Sequence, residues 1–346
     1  MTMRICFVVN SVRTQRPTYT TSHLACQAAR RGHEVWLAAV DGLSLAADGR
    51  VLAQAVALSG MPRDTRELVA TVAAAGAART EIALDGFSVV FLRNHPAAGA
   101  DGDRPNPGVE FGRLLKRAGV LVVNDPEGLL RAGSKMYLEG FPAEIRPRTL
   151  ITRSAERVRA FLGELDGAAI LKPLAGFGGQ NVFYLARGQT TNLNQMIAAV
   201  KKDGYVIVQE YLPAVARGDK RVLLLGGEPI EVGGHVAAYR RMRPKDDIRN
   251  NMHVGGSRRR AMFGAAERRI CELVRPRLVA DGLYLVGLDV VGDKLLEINV
   301  YAPGGIHNIN ELYGVNVGEA VIADLERWVE ARAARGSGGV RGAGRA

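Results

Sequence analysis

The sequence predicts an α/β domain followed by α+β structure. Two observations carry that expectation. In the first part, short wholly apolar runs alternate with helical stretches, as in a parallel sheet buried on both faces. From Tyr205 onward, β-rich runs follow one another across tight glycine turns, as in antiparallel hairpins.

In order, Arg4–Asn10 (RICFVVN) reads as a buried strand. Tyr19–Gly32 reads as a helix with Thr and Ser capping candidates at its start and Gly32 as its stop. His33–Val40 is the next strand. This order places ligands at the carboxyl ends of the strands, and the absence of GxGxxG leaves dinucleotide binding unsupported. Ser88–Leu92 is a strand leading into Arg93-Asn94-His95-Pro96. Arg93 there either holds an anionic substrate or is a solvated loop charge. Glu110–Gly119 is a helix, Val120–Val123 a strand, and Glu127–Tyr137 a helix carrying Lys135. Arg148–Ile151 and Ala168–Leu171 are strands flanking a helix over Ala155–Leu165.

Ile170–Gln180 (ILKPLAGFGGQ) then places Lys172 at the end of an apolar strand, four residues before Gly176-Phe177-Gly178-Gly179. Glycines let backbone N–H groups approach a polyphosphate, and a lysine beside them adds positive charge. A glycine turn after a strand reads the same way, and the G-K-[ST] ending of a Walker A loop is absent. Tyr205–Tyr211 is a strand ending in Gln209-Glu210-Tyr211-Leu212. Ala216–Leu225 turns and continues as a strand, and Gly226-Gly227 returns the chain into Glu228–Val232. Arg240–Arg260 has no period and reads as a long lid-like loop. Glu267–Asp281 is a helix.

Leu283–Asp289 and Lys294–Val300 read as a hairpin joined at Gly292-Asp293. Glu297 and Asn299, two apart, share a strand face that Asp289 can reach. Two carboxylates and an amide oxygen suit Mg²⁺, although a polar hairpin face reads alike. Val315–Ala334 is a final amphipathic helix and Gly336–Ala346 a disordered tail.

Composition narrows the function. At 47% hydrophobic and 23% charged the chain is ordinary for a globular protein. No apolar stretch approaches the ~20 residues that cross a bilayer, and no signal peptide is evident. Three widely spaced cysteines, Cys6, Cys26 and Cys271, fit a reducing cytoplasm. The net charge of +11 is concentrated: His235–Arg260 and Ala331–Ala346 hold 10 of the 11 charges. A basic loop facing an anionic small ligand explains that as well as nucleic acid does, and no nucleic-acid motif is present.

Four blocks, ILKPLAGFGG, VQEYLPAVARGDKRVLLLGGEPI, RNNMHVGGSRR and VGLDVVGDKLLEINV, together resemble the bacterial glutathione synthetases of the ATP-grasp superfamily. FLRNHP and LVVNDPEGLLRAGSKMYLEGF extend the likeness over nearly the whole chain. The resemblance implies an N-terminal Rossmann-like α/β domain (1–125), a central α+β domain (126–203) and a C-terminal α+β domain (204–335) with a lid at 240–256. It implies an ATP-dependent carboxylate–amine ligase working through an acyl phosphate, with Mg²⁺ or Mn²⁺, small acid and amine substrates, and a dimeric or tetrameric homo-oligomer. Lys135 and Lys172 would contact phosphates, Gly176–Gly179 would form the phosphate loop, and Gln209, Glu210, Tyr211 and Leu212 would make the adenine hinge. Asp219 would lie near the sugar, and Asp289, Glu297 and Asn299 would hold the metal. Arg221, Arg240 or Arg241, Arg249 and Asn251 would face the acyl phosphate and acid substrate, with Arg93 at the substrate too.

The chain departs from the family at its substrate end. A Thr-Ser-Pro-Thr type turn is replaced by Tyr301-Ala302-Pro303-Gly304-Gly305, where the Gly304 and Gly305 N–H groups stand in for hydroxyls at a substrate carboxylate. About four extra residues lie between Glu228 and Arg240. His307, Asn308 and Asn310 follow the turn, as amine-substrate contacts or as a solvated helix start. The chemistry of ligation is thereby better supported than γ-glutamylcysteine and glycine as its substrates; the alternatives are a ligase for another amino acid, peptide or natural-product precursor and, less favoured, an ATP-binding regulatory protein without turnover.

Overall fold

The computed structural model describes residues 1–75, 78–95, 106–174, 181–189, 191–202, 204–242 and 257–338. Its first part comprises β1 (Arg4–Val9), α1 (Thr20–Arg30), β2 (Glu34–Leu45), β3 (Val51–Ala57), α2 (Thr65–Ala75), β4 (Thr80–Ala83), β5 (Val89–Leu92), α3 (Pro107–Arg117) and β6 (Leu121–Val123). These strands form one sheet in the order β4-β3-β2-β1-β5-β6. The apolar runs β2, β1, β5 and β6 pair in parallel, and every residue of β5 and β6 is buried. An antiparallel edge of β3 and β4 completes the sheet and was not read from sequence. In VLAQAVA, three alanines blur the alternation that marks a strand.

α1 corrects a second expectation. Its N-cap is Tyr19, which makes no side-chain cap, and the Thr20 hydroxyl is buried with no partner among the described residues.

α4 (Pro126–Arg131) is capped by Asp125 and stops at Arg131 rather than running to Tyr137. Gly133 is a poor helix former and Ser134 caps a new start, so Lys135 lies on a separate 3₁₀ turn, Lys135–Gly140. Next come β7 (Thr149–Thr152), α5 (Ala155–Glu164), β8 (Ala169–Pro173), β9 (Phe183–Leu185), α6 (Leu193–Lys201) and β10 (Val206–Glu210). They build an antiparallel sheet, β7-β10-β8-β9. That sheet reaches Glu210, past the boundary expected at 203.

The last part holds β11 (Asp219–Leu225), β12 (Glu228–Pro229), β13 (Glu231–Val232), β14 (His235–Val236), β15 (Ala238–Met242), β16 (Ser257–Arg260), α7 (Ala265–Ala280), β17 (Leu285–Val291), β18 (Lys294–Asn299), α8 (Ile306–Tyr313) and α9 (Val317–Gly338). The sheet order is β16-β15-β11-β17-β18, with β12 beside β11. The lid expected from 240 therefore begins later. Arg240 and Arg241 belong to β15, which pairs with both β11 and β16, and residues 243–256 lie outside the described residues. Helix α9 runs to Gly338, overlapping the start of the expected tail; 339–346 lie outside the described residues.

Between Glu228 and Arg240 the chain forms the hairpin β13–β14, turned at Gly233-Gly234, both of which have positive φ. Ile230 N–H bonds Leu223 O and Leu223 N–H bonds Ala237 O, so the ladder resumes after the hairpin. Past the hairpin, Arg241 stands opposite Asp219.

Two apolar cores span the first and last parts. One joins Phe7 and Leu37 to Leu223, Ile306 and Val321; the other joins Val8 and Val90 to Val222, Val274 and Leu288. The central sheet has a core of its own, including Val158, Leu171, Val200 and Val208. Asn124, at the end of β6, ties the first and last parts further. Its buried Nδ2 donates to Leu285 O (2.9 Å) and Val300 O (2.7 Å), and its Oδ1 accepts Leu285 N–H (2.8 Å).

Candidate active site

Strand β11 alternates residues between two faces. Lys220 points back toward helix α7, where it pairs with Glu267, while Asp219 and Arg221 point the other way. Across the sheet, Arg241 stands opposite Asp219, and Asp289 stands opposite Arg221. These four form a buried ion-pair cluster. Arg221 grips Asp289 with two nitrogens, Nη2 at 2.8 Å from Oδ2, and Arg241 Nη2 reaches the same Oδ2 at 2.8 Å. Arg241 also pairs bidentately with Asp219. Burial alone would raise the Asp289 carboxyl; Arg221 and then Arg241 overcome it and hold the group well below the usual range. The register settles which arginine faces the site. Arg240 lies on the other face, donating to Arg217 O at 2.7 Å.

Asp289 meets Glu297 through a β-bulge. Val290 pairs with Leu295 but Asp289 pairs with Glu297, so one extra residue is absorbed between them. Without it Asp289 would oppose Leu296, and the second carboxylate would point away. Asn299 follows on the same face. Its Nδ2 lies 3.3 Å from Asp289 Oδ2 and 3.4 Å from Gly287 O, which leaves its Oδ1 for other partners. Glu297 is reached by solvent yet lies in a walled cleft: crowding by protein, then Asp289, raises its carboxyl, against Arg221, Lys172 and Lys135. A raised second carboxylate beside an ionised one, with a free amide oxygen, is an oxygen-donor set that fits a divalent cation.

The opposing wall comes from the central sheet. Lys172 on β8 donates to Gln209 Oε1 (3.0 Å), and Gln209 Nε2 donates to Thr149 Oγ1 (3.1 Å). Lys135 Nζ donates to Pro173 O at 2.9 Å. Burial, then Lys172, lowers the Lys135 ammonium to about 8, while Glu297 works the other way. Burial lowers Lys172 as well, against Glu297. Both lysines thus feel the carboxylate on the facing hairpin. At the expected hinge, Glu210 Oε1 accepts Arg148 N–H (2.8 Å) and Tyr211 N–H bonds Ala168 O (2.8 Å), so these two groups are engaged within the protein. Gly176, Phe177, Gly178, Gly179, Arg249 and Asn251 lie outside the described residues.

Beyond the carboxylates the Tyr301–Gly305 turn reaches the first sheet. Arg221 Nη1 donates to Gly304 O (3.3 Å), and Arg93 Nη2 donates to Pro303 O (3.1 Å). Arg93 Nε also donates to Thr21 Oγ1 on α1 at 3.2 Å. Arg93 is buried, and burial alone draws its guanidinium down to about 10. The Tyr301 hydroxyl turns away to Leu129 O, so the turn presents backbone to the cleft. Gly305 has φ +135°, and a Cβ there would lie 2.9 Å from Tyr239.

Asn124, just past the Val120–Val123 strand, was given no role from sequence. A polar residue closing LVVN immediately before Asp-Pro was its one local signal.

A lysine-lined antiparallel sheet facing a carboxylate hairpin is the arrangement of a nucleotide-dependent ligase of the ATP-grasp class. The comparisons agree. Residues 3–130 match the prokaryotic glutathione synthetase N-terminal domain, and residues 134–314 match its ATP-grasp domain. Glutathione synthetase from Synechococcus elongatus is 35% identical over 334 residues, covering 94% of this chain and 99% of the relative. That from Gloeobacter violaceus is 36% identical, covering 96% and 99%. Among solved structures, the ATP-grasp ligase PsnB with a precursor variant, Mg and ADP superimposes with a TM-score of 0.59 at 19% identity, covering 94% and 98%. D-cycloserine synthetase DcsG superimposes at 0.58 and 16% identity, covering 93% and 99%. These last two show the shared fold. The chain belongs to the prokaryotic glutathione synthetase family and is a C–N bond-forming ligase.

Proposed function

We propose that this ligase joins γ-glutamylcysteine to glycine, with ATP converted to ADP and phosphate. The observation that carries the reading is the facing of Lys135 and Lys172 against Glu297 across one cleft, with Arg221 and Arg241 at its floor. A carboxylate resists amine attack because oxide is a poor leaving group. Transfer of the γ-phosphoryl group to the acid gives an acyl phosphate; the amine nitrogen then attacks its carbonyl carbon, phosphate departs and the ammonium proton is lost. Lys135 and Lys172 hold the phosphates, and Arg221 and Arg241 balance charge on the phosphoryl and tetrahedral oxygens. Asp289, Glu297 and Asn299 are the residues that would hold Mg²⁺, which when bound neutralises phosphate charge; Mn²⁺ suits the same oxygens. Gly176–Gly179 cover the phosphates, the Gln209–Leu212 backbone frames adenine, and Asp219 stands toward the sugar. Arg249 and Asn251 act on the acid substrate, and Arg93 and the Pro303–Gly305 turn act on the substrate side. The enzyme works as a homo-oligomer in the cytoplasm, a compartment supported by three buried free cysteines. Among the described residues no helix is long and apolar enough to cross a membrane.

The test is phosphate release from ATP with a panel of acids and amines, followed by mass analysis of products. A product of γ-glutamylcysteine plus glycine is expected; no release with any pair sinks the reading. The turn favours a second reading. With the Tyr301 hydroxyl committed to Leu129, the turn offers no side-chain hydroxyl to a glycine carboxylate, so a different amine is accepted in place of glycine. The same panel separates the two.

A further inference from the structure

Helices α1 and α8 begin side by side. The His23 and His307 rings, each in a first turn, stand 5.5 Å apart, and Arg93 joins Thr21 of α1 to the turn that opens α8. Neither helix has a side-chain cap or an acidic residue in its first turn. The N–H groups of Thr20, Thr21 and Ser22 therefore take no protein acceptor among the described residues, and those of Ile306, His307 and Asn308 likewise take none. Both helix dipoles present their positive ends here. Arg93 adds a full charge, only 6% exposed, whose hydrogen-bond partners above are neutral. Such a charge is costly without an anion.

A second, independent observation points to a ligand. Thr20 is 4% exposed and, among the described residues, its hydroxyl has no partner; the buried His23 Nε2 likewise has none among them. Buried polar atoms are left open this way where something else satisfies them. Burial, then His307, lowers His23 to about 4, and burial, then Arg258, lowers His307, so both rings are neutral hydrogen-bond donors at neutral pH. The one carboxylate acting on both is Glu311, and Arg258 opposes it from β16.

We infer that the first turns of α1 and α8, with Arg93 between them, seat a carboxylate of the acid substrate remote from its reacting carboxylate, and that His23 and His307 determine specificity for it. The inference rests on the ligase reading above. The contact path Asp289–Arg221–Gly304–turn–Pro303–Arg93 runs from the phosphate end to this seat, so a substrate activated at one end extends its other end here.

The test compares γ-glutamylcysteine with its analogue whose glutamyl carboxylate is an amide, in wild type and in His23→Ala, His307→Ala and the two corresponding Gln variants. Wild type should prefer the carboxylate by about tenfold or more in KM. Each Ala variant should lose that preference while kcat and the KM for ATP and glycine hold; Gln, still a donor, should restore part of it. Equal loss for acid and amide, no loss, or a shift in the KM of glycine instead overturns the inference. Calorimetric binding of both acids to the same proteins, each checked for an unchanged melting temperature, reads the seat without turnover. Carboxylate-dependent binding with no ligation would overturn the ligase reading alone.

Discussion

The two ends of the cleft handle charge in opposite ways. At the hairpin end, Arg221 and Arg241 are matched within the protein by Asp289 and Asp219. At the turn end, Arg93 is just as buried but answered by a hydroxyl and a carbonyl. The first end is assembled before any substrate arrives, as electrostatic preorganisation requires. The second is incomplete without an anion. One end of the site thus balances its charge within the fold, and the other leaves a charge for what binds.

The largest effect expected on this contrast is at the hairpin. Glu297→Gln should lower kcat by about a thousandfold, the scale of losing a key electrostatic group, with an unchanged circular dichroism spectrum. Activity near wild type would remove Glu297 from the site. Next, Asp289→Asn leaves buried Arg221 without its acidic partner and Arg241 with Asp219 alone, and should cost about 3–5 kcal/mol of stability. By contrast Arg93→Met removes a buried charge that has no acidic partner among those groups, and denaturant melts should stay within about 1 kcal/mol of wild type. Equal losses for the two variants would erase the distinction between the ends. A smaller effect is in pH. With the Lys135 ammonium drawn down to about 8, it is charged below that pH and neutral above it. The KM for ATP should therefore rise as pH passes upward through 8, by at most about tenfold per pH unit. Lys135→Arg should flatten that rise, and a flat wild-type profile would count against phosphate contact by Lys135.

The hairpin end was legible in sequence because its chemistry is local. Asp289, Glu297 and Asn299 sit on one turn-linked pair of strands, and Lys172 ends a run that can be little but a strand. Even there the bulge that makes Asp289 face Glu297 was hidden, since a register shift has no composition of its own. The choice between Arg240 and Arg241 needed strand parity, which the β13–β14 hairpin obscures until the pairing is seen. The turn end was less legible because it is assembled from afar: His23 and His307 meet across 284 positions of chain, and Thr20 reads as an ordinary cap until its hydroxyl is found empty. The antiparallel edge β3–β4 was missed for a plainer reason, alanine-rich strands with little alternation.

Asn124 has a mechanical meaning beyond its three hydrogen bonds. Together with the two apolar cores that cross from the first sheet to the last, it welds the substrate seat and the carboxylate hairpin into a single block. The central sheet keeps a core of its own, outside that block. The distance from the Arg93 seat to the Asp289 hairpin is then a fixed gauge for substrate length.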